Sequence, residues 1–381
     1  MSVNKTDAIS PFLVMEILEK AQQMEKKGAN IIHLEVGEPD FNIPKPVSEA
    51  IVNALNQGDT HYTNSLGIIE LRREITKQYN DKYGIFIRPD QIIVTSGTSP
   101  ALLLILGVLI KENDEVIISD PHYACYPNFI KFLKGKPITV KIYEKNGFQY
   151  KSKTLKEKIT DKTKAIIINS PANPTGALLE KETMQELAKL EIPIISDEIY
   201  HGLVYEEKER SMLEFTKKAF ILNGFSKLYA MTGLRLGYII APEEYIRPMQ
   251  KLNQNLFICA NSAIQKGGVA ALTKAKQNAE EMKATYNKRR IYMINRLKQL
   301  GFGINVEPKG AFYIFVNAKH ISNDSYALAL DILNKAKVGV APGIDFGKNG
   351  EGYLRFSYAN SIENIAEGLD RIDKYIKKSG V

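Results

Sequence analysis

The middle of the chain carries short, almost wholly apolar runs rich in β-branched residues. They lie at residues 91–95, 115–119, 138–142, 165–169, 193–197, 220–223 and 237–241. A strand with one wet face alternates apolar and polar positions. A strand buried on both faces does not, and runs of this kind mark a mostly parallel sheet. Between them, at 99–110, 126–133 and 181–190, apolar residues recur at helical spacing. Strands and helices in alternation predict an α/β domain with helices flanking the sheet.

Both ends of the chain read differently. A long amphipathic stretch at 270–300 leads into shorter strand-like pieces at 311–316, 338–341 and 353–357, which together predict a smaller α+β domain. The start holds a helical pattern at 11–27 and an apolar run at 31–35. These are too small for a core of their own and are expected to pack with the C-terminal part. The organisation expected is an arm and part of the small domain in 1–47, a large domain in 48–280 and the rest of the small domain in 281–381.

Composition agrees with this division. At roughly 100–200 residues per domain, 381 residues suit two domains. Hydrophobic residues at 44% and charged residues at 25% are those of an ordinary soluble protein. The net charge of +8 raises nucleic acid as a partner. The short basic runs (Lys26-Lys27, Lys217-Lys218, Arg289-Arg290, Lys377-Lys378) fall in segments of helical pattern, without interleaved aromatics, and are read as solvated surface. Cys125 and Cys259 lie far apart, and no two of the five histidines stand at metal-ligand spacing, so neither a disulfide framework nor a metal is expected. The N-terminus has no signal-peptide core. The longest apolar run, 101–110, is about half a membrane helix. A cytoplasmic protein without membrane contact is expected.

Ligands of open parallel sheets bind beyond the carboxyl ends of the strands. Four runs end on distinctive chemistry. After 165–169 comes Ser170-Pro171-Ala172-Asn173-Pro174-Thr175-Gly176, which presents an amide. The run 193–197 ends on Asp197, followed by Glu198, Ile199 and Tyr200. After 220–223 come Ser226 and Lys227, then Arg235 between Gly233 and Gly237. The run 91–95 ends at Ser96-Gly97-Thr98-Ser99, where a helix start offers free N–H groups to an anion. Each has an ordinary reading by itself: a turn asparagine, a helix-capping aspartate, a surface lysine, a capped helix. On one sheet edge they would combine an amine, a carboxylate, an amide and a phosphate-type site. That set suits a phosphorylated aldehyde better than a dinucleotide, for which no GxGxxG follows a strand.

The stretch Phe225-Ser226-Lys227 with Gly233-Leu234-Arg235-Leu236-Gly237 resembles the attachment motif of class I/II aminotransferases of fold type I. Companion motifs extend the resemblance over nearly the whole chain. They are residues 36–41 (VGEPDF), Tyr62 with Gly67 and Leu71-Arg72, residues 96–102 (SGTSPAL), 173–176 (NPTG), 196–200 (SDEIY) and 354–359 (LRFSYA). The resemblance implies pyridoxal 5'-phosphate as cofactor and transfer of an amino group from an L-amino acid to a 2-oxo acid, by family habit 2-oxoglutarate. It implies Lys227, Asp197 and Tyr200 as the catalytic set. Lys227 would form the Schiff base and move the substrate proton, and Asp197 would pair with the pyridine nitrogen. Asn173 and Tyr200 would bind the ring hydroxyl, and Tyr123 would stack on the ring. Thr98, Ser99 and Arg235, with Ser226 adjacent, would hold the phosphate. Arg355 would take the substrate carboxylate, helped by Asn173 and Gly37. Tyr62 would reach the neighbouring active site of a homodimer. Two positions depart from common patterns. Gly224 stands where many relatives have a phosphate-binding serine, and Ser99 stands where one aspartate-specific subgroup has a basic residue. A C–S lyase on the same fold and a non-catalytic regulator are the alternative readings.

Overall fold

The computed structural model describes residues 7–379. In chain order, α1 (Leu13–Glu25), β1 (Ile32–His33), α2 (Lys45–Asn56) and α3 (Ile69–Tyr83) come first. The seven apolar runs follow as β2 (Ile92–Thr95), β3 (Glu115–Asp120), β4 (Lys136–Lys141), β5 (Thr163–Asn169), β6 (Ile194–Asp197), β7 (Ala219–Gly224) and β8 (Gly237–Ile240). Among them lie α4 (Thr98–Leu109), α5 (Tyr126–Phe132), α6 (Ser152–Lys156) and α7 (Lys181–Ala188). All seven strands join one sheet in the order β2-β8-β7-β6-β5-β3-β4. Only β8 runs antiparallel to its neighbours, β2 and β7. The reversal brings the start of β8, and Arg235 just before it, to the carboxyl ends of β2 and β7. Helix α4 is apolar on every side because it lies between the sheet and α5 and α8 (Glu243–Leu256).

The remaining elements are α9 (Ser262–Lys274), α10 (Lys276–Gln299), β9 (Tyr313–Asn317), α11 (Ser325–Ala336), β10 (Val338–Gly339), β11 (Ala341–Pro342), β12 (Tyr353–Ser357) and α12 (Ile362–Ser379). A separate hydrophobic core joins Ile17, Ala21 and Leu34 near the start of the chain to the elements from α10 onward. Strand β1 pairs in parallel with β10.

Three expectations need correction. The stretch 270–300 is not one helix: it turns at Ala275, which is fully buried, with no proline or glycine there to announce it. Tertiary packing imposes the turn. Helix α9 lies against α2 and α3, where Gly267 and Gly268 allow close approach to Ile51 and Leu71, whereas α10 packs on β9 and α12. The run 338–341 divides between two sheets, since β10 pairs with β1 and β11 with β12. The basic runs are not all solvated helix. Lys217-Lys218 lies in a turn before β7. Arg289 and Arg290 are buried in α10, where Arg289 pairs with Asp40 at 2.7 Å and Arg290 pairs with Glu206.

Candidate active site

The carboxyl ends of β2, β5, β6 and β7 open onto a cavity of about 370 Å³. Gly37, Thr98, Ser99, Tyr123, Asn173, Asp197, Tyr200, Ser226, Lys227, Arg235 and Arg355 all line it. Tyr62 does not. It is 80% exposed on the surface of its own chain.

One end of the cavity is built for an anion. Helix α4 starts after Gly97, whose φ of 97° favours glycine, and no side chain caps its first N–H groups. A Cβ at Gly97 would overlap the Arg235 guanidinium, so glycine admits the arginine to the helix start. Arg235 donates to the Thr232 carbonyl at 2.7 Å. Free N–H groups beside a guanidinium form a phosphate-type site. The backbone also explains Gly224. It faces Gly237 across β7 and β8, and a Cβ there would meet the Leu236 carbonyl at 2.9 Å. A serine at this position has no room in this chain.

Lys227 follows β7 and donates from Nζ to the Gly37 carbonyl at 2.7 Å. Burial pulls its pKa down from 10.5 to about 8; Glu38 opposes the shift, and Arg355 and Arg235 add to it. Asp197 ends β6. Burial pushes its carboxyl up to about 6, against hydrogen bonds from the Tyr126 hydroxyl at 2.6 Å and the Ile199 N–H at 3.2 Å.

Asn169, the last residue of β5, ties two strand ends together. Its Oδ1 accepts from the Asn173 N–H at 2.7 Å, and its Nδ2 donates to the Asp197 carbonyl at 2.9 Å. Asn173 Oδ1 accepts from Arg355 Nη1 at 2.8 Å. The Arg355 guanidinium also bonds the Glu35 carbonyl and lies 4.3 Å from the Tyr313 ring centre and 4.9 Å from that of Phe346. Its buried Nε has no partner among the described residues. A desolvated, held guanidinium with donors to spare is suited to a carboxylate. The Tyr200 and Tyr313 hydroxyls meet at 2.9 Å, and burial holds both pKa values up.

Some lining residues carry little signal in the sequence. Tyr126 and Tyr313 stand there as ordinary apolar positions of a helix and a strand. Asn169 is visible as a polar strand end, and Glu38 lies in the VGEPDF stretch. Phe12, Val14, Met15 and Leu18, from the start of α1, form a wall of the cavity. The helical pattern of that segment shows an apolar face but not what it faces.

The sequence pattern of a family described as aminotransferase class I and II matches residues 29–372. The chain belongs to this family. Like its other members, this aminotransferase uses pyridoxal phosphate. A (5-formylfuran-3-yl)methyl phosphate transaminase of Methanocaldococcus jannaschii is 46% identical over 96% of this chain and 97% of its own length. An aspartate aminotransferase of Pyrococcus horikoshii is 41% identical over 96% of this chain and 94% of its own. The solved structure of MJ0684 from Methanococcus jannaschii, described as similar in its active site to kynurenine aminotransferases, superposes with a TM-score of 0.92. It is 44% identical and covers 98% of this chain and all of its own. The sheet and its flanking helices are those of fold type I. The cavity fits the cofactor: an uncapped helix start with a guanidinium for phosphate, a buried carboxylate for a ring cation and a desolvated amine for the aldehyde. No described helix is long and apolar enough to cross a membrane.

Proposed function

We propose that this aminotransferase moves the amino group of an L-amino acid to a 2-oxo acid, with 2-oxoglutarate as acceptor, and that Lys227 carries the cofactor covalently. The observation behind this reading is the placement of Lys227 between Asp197, Arg355 and the anion site of α4 and Arg235 in one cavity. When bound, the cofactor supplies an electron sink for the charge left on the substrate Cα. The Thr98 and Ser99 N–H groups, Ser226 and Arg235 hold the phosphate. Asp197, kept in place by Tyr126 and the Ile199 N–H, would pair in its ionised form with the ring nitrogen. Asn173 and Tyr200 serve the ring hydroxyl, and Tyr123 flanks the ring. Arg355 forks onto the substrate α-carboxylate beside Asn173 and Gly37. The Lys227 amine, depressed to about 8, would take the proton from the substrate Cα and pass it to the cofactor's C4′.

Tyr62 reaches the phosphate of a neighbouring copy in a homodimer. Its exposure favours this, as do the exposed apolar side chains of Val52, Leu55, Leu256 and Ile258. Domain boundaries near 47 and 280 and a cytoplasmic role in amino-acid metabolism complete the proposal. Wild-type protein saturated with pyridoxal phosphate is expected to show a visible absorbance band that borohydride removes and that Lys227→Ala lacks. Absence of the band in wild type would end the proposal. Ammonia and pyruvate released from a sulfur amino acid without any 2-oxo acid would instead indicate a lyase.

A further inference from the structure

Two of the cavity's cations are held by one short stretch of backbone. The Glu35 carbonyl accepts from the Arg355 guanidinium, and the Gly37 carbonyl, two residues on, accepts from Lys227 Nζ. Where this stretch sits therefore sets where both cations sit. The residue before it, Leu34, is strung between two strands. It donates to the Gly339 carbonyl at 3.0 Å and accepts from the Ser357 N–H at 2.7 Å.

The Glu35 side chain is fully buried, and none of the roles proposed above uses it. Its Oε1 lies 2.7 Å from His33 Nδ1, and its Oε2 has no partner among the described residues. Gly339 packs so closely against the carboxylate that a Cβ there would overlap Oε2. On its other side, His33 Nε2 lies 3.1 Å from Glu25 Oε1 of α1. An imidazolium thus stands between an inner and an outer carboxylate. The hydrogen bond to Glu35 raises the His33 pKa from 6.5 to about 9, against burial and with help from Glu25. The other elements packed on β1 bring no charge to the ring. Strand β10 presents Val338 and Gly339, Lys337 before it donates from Nζ to the Asn334 carbonyl, and Arg371 of α12 donates to the Asn30 and Lys337 carbonyls.

A buried carboxylate stripped of its cation is costly. A neutral His33 can still donate one hydrogen bond, but it brings no charge to Glu35 and turns a lone pair toward Glu25. Glu35 then regains water only by shifting the stretch whose carbonyl holds Arg355. We propose that Glu35 and its counter-ion His33 are positioning residues, which fix the Glu35 and Gly37 carbonyls and through them the grip of Arg355 on the substrate carboxylate. The proposal rests on the aminotransferase reading, which gives Arg355 that carboxylate. Because the folded-state pKa of His33 is raised, the support is complete below 6.5 and lost as pH rises through about 9.

The test uses protein loaded with pyridoxal phosphate. Calorimetry with glutarate, a dicarboxylate with no amine of its own, compares wild type with Glu35→Gln between pH 7 and pH 10. The amide keeps the shape and needs no cation, and groups that titrate in both proteins cancel in the comparison. The wild-type dissociation constant should rise over this range by about tenfold more than that of Glu35→Gln. Identical pH profiles would overturn the proposal. At pH 7, His33→Leu should raise the saturation constant for L-glutamate in the single half-reaction by about tenfold, with the limiting rate within about threefold of wild type. Adding Glu35→Gln to the same chain should restore most of the loss, since no unpaired charge is then buried. A folded His33→Leu protein with a wild-type saturation constant, or a double variant no better than the single one, would also overturn the proposal. Should His33→Leu not fold, the pH comparison decides alone. Wild-type cofactor absorbance that does not change with glutamate would be a different result: it would defeat the underlying reading, and this proposal with it.

Discussion

Asp197 and Glu198 are chain neighbours, both carboxylates and both buried at the end of β6, yet they occupy opposite kinds of surroundings. Glu198 points away from the cavity into a closed network. It accepts from the Ser196 and Ser211 hydroxyls, the Met212 N–H and the Tyr79 hydroxyl, at 2.9–3.2 Å. His201 lies 3.4 Å from it and bonds the Tyr83 hydroxyl through one ring nitrogen and the Ser170 carbonyl through the other. Asp197 lines the cavity, and among the described residues its carboxylate accepts only from Tyr126 and the Ile199 N–H. A buried charge is tolerated where its hydrogen bonds are complete. The network behind the sheet is complete, whereas the front is left short of partners, as a ligand site requires.

The largest expected contrast comes from removing each charge without changing shape. Asp197→Asn should lower transamination on the order of 100-fold or more, as loss of a charge that acts on the reacting group does. The same change should not destabilise the cofactor-free fold. A carboxyl raised from 3.8 to about 6 costs stability when ionised, absent below the lower value and complete above the higher one. At neutral pH that cost is on the order of 3 kcal/mol, so the amide should raise the thermal midpoint without cofactor. Burial holds the Glu198 carboxyl up as well, but Glu198→Gln replaces the acceptor of four hydrogen bonds and should lower stability. An amide turned toward donors leaves one unsatisfied and costs about 2 kcal/mol in denaturant unfolding, with activity within a few-fold of wild type. Equal stability losses in the two variants would erase the contrast.

Acid titration gives the next effect in size. Cofactor binding that requires ionised Asp197 should weaken as pH falls through about 6. Binding isotherms of Asp197→Asn should lack that limb. The Lys227 amine gives a related test at higher pH. Its depressed pKa makes attachment of the aldehyde speed up with rising pH and level off just above about 8, well below the 10.5 of an ordinary lysine. Stopped-flow absorbance reads this directly, and a rate still climbing at pH 10 would contradict it. The smallest effect expected is from Tyr83→Phe. It removes one hydroxyl between His201 and Glu209, at 2.6 and 3.3 Å, and should cost about 1 kcal/mol without touching activity.

The sequence revealed the front of this contrast better than the back. Asn173 and Lys227 follow apolar runs and Asp197 ends one, and the direction of a parallel strand decides which end meets a ligand. The network behind Glu198 draws Tyr79, Tyr83, His201, Ser211 and Glu209 from three separate segments, and no spacing along the chain relates them. The central strands were legible because strands buried on both faces look alike wherever they occur, whereas β4, at the sheet edge, has only Val140 fully buried. The turn at Ala275 was not, because nothing local breaks the helix there. The start of α1 was legible as a helix and illegible as a cavity wall, since periodicity names a buried face without naming its partner.

The position of the covalent link is the most direct test. Wild-type protein is loaded with pyridoxal phosphate, reduced with borohydride, digested and analysed by mass spectrometry. The expected result is a pyridoxyl adduct on the peptide containing Lys227 and on no other lysine in stoichiometric yield. A stoichiometric adduct on a different lysine, with Lys227 unmodified, would contradict the assignment of the amine and the roles built around it.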